Sequence, residues 1–160
     1  METYKVIFNE EENEGVYAVS LVSDPAIGVQ FVTLSKQKEI KLATINEEQR
    51  ILLGAVLIPN QPIYRIDEKS GHEFNIVFPK ETIKQVQHNF SQQGYQNNST
   101  IEHSGQQIEN VTFVETWIKE DEVHDKSVMY GFNEPVGTWY AAMKVNNDDI
   151  WNDYVKTGKV

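Results

Sequence analysis

The chain of 160 residues contains no cysteine. Disulfides, thiolate nucleophiles and zinc sites built on cysteine are therefore excluded. Histidine is scarce: His72, His88, His103 and His124 are the only four, and no two stand at the i, i+4 spacing that seats a metal on one helix face. No metal and no cofactor is expected. Basic residues are few, 14 lysines and arginines against 24 acids, for a formal net charge of -10. Phosphate backbones are neutralised by clustered Lys and Arg, so no nucleic-acid partner is expected. No apolar run approaches the roughly 20 residues that span a bilayer. The start, Met1-Glu2-Thr3-Tyr4-Lys5, also lacks the basic stretch and apolar segment of a signal peptide. A soluble, intracellular protein with no membrane partner is expected.

What is present is a chain long enough for one buried core, read as a strand-rich arm and linker over 1–48 and a main domain over 49–160. In the arm, Tyr4–Phe8, Val16–Val22 and Gly28–Leu34 are expected strands, separated by the acidic loop 9–15 and by Ser23-Asp24-Pro25. Residues 36–48 are polar and are read as a linker. The run Ile51–Ile58, ended by Pro59-Asn60-Gln61-Pro62, predicts a strand buried on both faces at the centre of a sheet. Ile63–Ile66 and His72–Phe78 flank the turn Asp67–Gly71 as a hairpin. After Pro79 the period changes to helical, with Ile83, Val86 and Phe90 as one stripe and Gly94 as the stop. Val111–Ile118, Ser127–Phe132 and Thr138–Val145 are expected strands, and residues 146–158 a final capped helix.

Candidate chemistry centres on Glu102-His103 and the strand that follows. A histidine near a carboxylate is the commonest start of a proton-transfer site. Strict alternation puts Glu115 on the face of Val111, Phe113 and Trp117, where a carboxylate needs a partner. That partner is either His103 or a structural cation such as Arg65 or Lys144. His72, His88 and Arg65 read as exposed helix or hairpin positions, and His124 with Asp125 as a solvated turn in which the two could pair.

Several separated segments agree in order and spacing with one family. They are Val19–Ala26, Gly54–Arg65, Phe78–Ile83, Glu102-His103, Val114–Ile118, Gly137–Val145 and the helix beginning Ile150-Trp151. The chain resembles the tailed-phage prohead, or capsid maturation, serine proteases, in the branch also found in defective prophages. The resemblance implies an α+β fold of herpesvirus-protease type, a mainly antiparallel β-barrel flanked by helices. It implies a serine endopeptidase that cleaves scaffold and major capsid proteins inside the immature prohead, in the host cytoplasm, and leaves a homo-oligomer open. It maps the general base onto His103, with Glu115 as candidate third member. The family's nucleophile follows a Lys-x-Gly ending in a Gly-Phe-Ser-like motif. Lys156-Thr157-Gly158 matches that ending, but the serine motif is absent through Val160, which implies a truncated or self-processed, inactive chain. Ser104, Ser127 and Ser99 are poor substitutes. The alternative is a phage structural or assembly protein that keeps the protease-like fold without catalysis.

Overall fold

The computed structural model describes residues 1–8, 18–21, 37–40, 43–46, 49–97, 99–101 and 109–156. The centre is a four-stranded antiparallel sheet in the order β4-β5-β10-β9, formed by β4 (Ala43–Asn46), β5 (Ile51–Leu57), β9 (Val111–Ile118) and β10 (Trp139–Val145). The apolar run predicted to be a central strand is β5, paired with β4 on one side and β10 on the other. Its burial on both faces is also found. Leu52 and Leu57 join the main core, while Leu53, opposite Ala142, is fully buried on the other face.

A second sheet joins β1 (Glu2–Lys5), β6 (Ile63–Ile66) and β7 (Glu73–Val77) in the order β1-β7-β6. The predicted hairpin is β6–β7, and its turn is closed by Asp67. That carboxylate accepts from the Lys69 amide at 3.0 Å and the Ser70 hydroxyl at 2.8 Å, while Gly71 supplies a φ of +71°. The parallel pairing of β1 with β7 ties the start of the chain to this hairpin. A third, parallel sheet has the order β3-β2-β8, from β2 (Ala18–Leu21), β3 (Gln37–Ile40) and β8 (Ser99–Ile101).

The helical stripe is α1 (Lys80–Gln92), with Ile83, Val86 and Phe90 buried against the central sheet. Each such side chain contributes about 1.5–3 kcal/mol through removal from water. Phe90 sits edge-on to Tyr95, Phe113 and Trp139, with centroids 6.1, 5.6 and 5.3 Å away. The chain closes with α3 (Asp148–Ile150), capped by Asn147, whose side chain accepts from the Ile150 amide at 3.1 Å, and a π-helical turn Trp151–Val155.

Four expectations are corrected. The strand read at Tyr4–Phe8 is β1, which runs instead from Glu2 to Lys5. The stretch read as a linker, 36–48, contains β3 and β4; both are short, polar and at sheet margins, where pairing rather than apolar periodicity decides the conformation. The strand read at Ser127–Phe132 is instead a helical turn, α2 (Lys126–Met129), because Asp125 caps it through the Ser127 amide at 3.0 Å. The fold is α+β with an antiparallel central sheet, but among the described residues the strands form three separate sheets, one antiparallel, one mixed and one parallel, and no closed barrel. The strand expected at Gly28–Leu34 lies outside the described residues. Among the described residues no helix is long and apolar enough to cross a membrane.

Candidate active site

Of the two residues assigned to catalysis, the structure places Glu115. His103, with its neighbours Glu102 and Ser104, lies outside the described residues.

Glu115 stands on β9, and a β-bulge decides which way it points. Glu115 pairs with Ala142 and Phe113 with Met143, so Val114 is an extra residue without an opposite number. Strict alternation is broken there. Val111, Phe113, Thr116 and Ile118 oppose Val145, Met143, Ala141 and Trp139, the β10 residues of the main core. Glu115 and Trp117 oppose Ala142 and Tyr140 and face the other way. The expectation that Glu115 shares a face with Phe113 is therefore overturned, although it does share one with Trp117. Its carboxylate is about half exposed and is ion-paired and hydrogen-bonded to Lys126 of α2, a partner that neither Arg65 nor Lys144 anticipates.

The residues around it form a shallow concavity of about 470 Å³, lined by positions 114–117 of β9 and by 124–126, which lead into α2. Its wall is built by Asp125. This carboxylate accepts from the Ser127 hydroxyl at 2.7 Å and amide at 3.0 Å, and from Trp117 Nε1 at 3.2 Å. Burial pushes the Asp125 carboxyl upward. The hydrogen bonds from Ser127 and Trp117, with the nearby Lys119 charge, outweigh that push and hold it below the usual aspartate range. Trp117 is stacked on Tyr140 at 5.6 Å, with the Lys126 ammonium 6.0 Å from its ring centroid. Burial raises the Tyr140 phenol, partly offset by the Ser127 hydroxyl. Ser127 is fully buried, and its hydroxyl donates to a carboxylate. It is a structural serine with no access to a substrate carbonyl.

The loop between β9 and β10 is tied at both ends. The Lys119 amide donates to the Thr138 carbonyl at 2.9 Å, and the Gly137 amide donates to the Lys119 carbonyl at 2.8 Å. The buried Lys119 ammonium donates to the Glu134 carbonyl at 2.7 Å. Behind β9, on the core side, Thr116 Oγ1 accepts from Trp139 Nε1 at 2.6 Å and from Gln87 Nε2 at 3.3 Å. These bonds fix the strand that carries Glu115 against α1.

The other polar candidates take the following places. His124 is exposed and sits 3.3 Å from Asp121, not paired with Asp125. His72 is exposed, 3.5 Å from Glu2 and stacked on Phe74. His88 is exposed on α1 and lines a separate concavity of about 280 Å³ with Phe8 and Gln92. Arg65 is buried on the hairpin and donates to the Tyr64 carbonyl at 2.8 Å. Sequence reasoning missed Lys126 and the capping role of Asp125. The Asp-x-Ser spacing at 125–127 was the available signal, since an aspartate that caps a helix accepts from an amide two or three residues on.

A half-exposed carboxylate beside an indole, at the mouth of a concavity, can orient an imidazole or a substrate cation. Here its charge is already balanced by Lys126. Residues 39–160 match the protein family described as phage serine protease XkdF. Comparison with curated proteins gave no match, and neither did comparison with solved structures.

Proposed function

The chain belongs to this phage serine protease family, and from that premise we propose that it is the protease portion of a prohead maturation endopeptidase. Its substrates are scaffold and major capsid proteins, cleaved by acyl transfer inside the immature head in the host cytoplasm. The observation that carries this reading is the family match over 39–160, which takes in the Glu102-His103 pair, the whole central sheet and the Lys156-Thr157-Gly158 segment. His103 is the general base that takes the proton of a serine hydroxyl and returns it to the leaving amine. On the family resemblance, the serine belongs to a Gly-Phe-Ser-like motif after the Lys-x-Gly segment. Glu115 is a positioning residue, held at its place on β9 by Lys126 and able to fix the imidazole tautomer.

The test uses the full reading frame. His103→Ala is expected to lower the rate of scaffold and capsid cleavage by about 10⁴-fold or more, as loss of a triad member does. Cleavage at the parental rate in that variant would overturn the assignment. The reading of a non-catalytic assembly protein is favoured by one observation, the engagement of Glu115 with Lys126. It expects head maturation to proceed normally with His103→Ala.

A further inference from the structure

Eight large apolar side chains are exposed among the described residues, and five of them fall between positions 114 and 130: Val114, Val123, Val128, Met129 and Tyr130. The other three lie at the N-terminus. Met129 is 80% and Val123 68% exposed, values that remove any role in the core. The segment that carries them is tightly built. Asp125 caps α2 and holds Ser127 and Trp117, Lys119 is buried on the Glu134 carbonyl, and the Phe132 amide returns to the Ser127 carbonyl at 3.0 Å. Apolar side chains displayed on such a framework have a fixed arrangement, and exposed apolar side chains gathered on one segment point to an interaction site.

The charge around them selects the occupant. Between positions 115 and 126 stand Glu115, Glu120, Asp121, Glu122 and Asp125, against only Lys119 and Lys126. Lys119 is buried and Lys126 is occupied by Glu115, so the exposed rim is acidic. A second copy of this chain would bring the same acidic rim against itself, and like-charge juxtaposition is costly. A segment with apolar side chains flanked by Lys or Arg meets both features. We propose that the concavity beside β9, together with the exposed face of α2, docks a short cationic amphipathic segment of another protein. Val114 and Met129 contact its apolar side chains, and Glu120, Asp121 and Glu122 its basic ones. This goes beyond the catalytic reading and does not depend on His103.

The experiment is a fluorescence anisotropy titration of the full chain with a labelled synthetic peptide of leucine and lysine at helical spacing. A matching peptide carries glutamate for lysine. The lysine peptide is expected to bind and the glutamate peptide not. Met129→Ser and the double substitution Glu120→Lys, Glu122→Lys are each expected to weaken binding about tenfold or more. Raising salt from about 0.1 M to about 0.5 M should weaken it several-fold. A control, Asp148→Asn with Asp149→Asn, removes acid elsewhere and should leave affinity unchanged. All five changed positions are exposed, so folding is preserved, as circular dichroism would confirm. Absence of binding, equal binding of the two peptides, an unchanged affinity in Met129→Ser, or an equal loss in the control overturns the proposal. So does a dimer by sedimentation that Met129→Ser dissolves.

Discussion

Thr116 shows how much a single hydroxyl carries in this chain. It is the acceptor for the indole N–H of Trp139, which is wholly buried, and for the amide of Gln87 on α1. Replacement by valine keeps the shape and strands a buried donor, which costs about 1–3 kcal/mol. Thr116→Val is therefore expected to lower stability by about 2 kcal/mol in denaturant unfolding, with Thr116→Ser losing much less. None of this was legible beforehand. Alternation placed Thr116 on the outer face with Val114, and one extra residue in the ladder reversed it. The same reversal took Glu115 out of the core and gave it to Lys126, so the sequence reading found the right strand and misjudged which side its carboxylate occupies.

At the scale of elements, legibility followed the source of each element's order. β5, β6, β7, α1, β9 and β10 were readable because each buries an apolar run or stripe, and that pattern is the trace of burial. β3, β4 and α2 carry no such stripe. The first two are ordered by neighbours and the third by a cap. The loop from β9 to β10 depends likewise on one glycine. Gly137 has a φ of +97°, and a Cβ there would lie 2.6 Å from Lys80 Cγ and 3.1 Å from Pro59 Cγ. Gly71 also has positive φ but has nothing within 4 Å of such a Cβ. Backbone strain of about 1–3 kcal/mol is common to both positions. Gly137→Ala is thus expected to lower the melting temperature more than Gly71→Ala. Equal losses would show that Lys80 and Pro59 move aside without cost.

The whole molecule is acidic, and its folded state uses several of those acids to hold turns. Asp67 is held below its ordinary range first by the Ser70 hydroxyl and then by the Lys69 amide, and Asp121 by the amides of His124 and Val123. Asp125, partly buried, is also lowered on balance. A group whose folded pKa is depressed contributes stability above its unfolded pKa and loses it as pH falls through the folded value. The melting temperature is therefore expected to fall as pH drops through the ordinary aspartate value of about 4 and below it. Asp125→Asn should flatten part of that slope in thermal unfolding followed by circular dichroism. At this scale the sequence was informative about class and family, through segments that agree in order across most of the chain. It was silent on how the strands divide among three sheets, because pairing partners are chosen by long-range packing that no local window contains.

The unpaired Val114 has a consequence best put as a matter of length and shape. With it removed, Phe113 and Glu115 would remain opposite Met143 and Ala142, and every other side chain of β9 would keep the face it has now. The strand is one residue longer than its pairing requires. The surplus residue shifts the alternation by one, which is why Glu115 and Thr116 stand on the opposite faces from those strict alternation assigns. It supplies added local twist and a projecting apolar side chain at the edge of the concavity. A shortened strand would keep the core and flatten the wall beside which Glu115 and Lys126 meet.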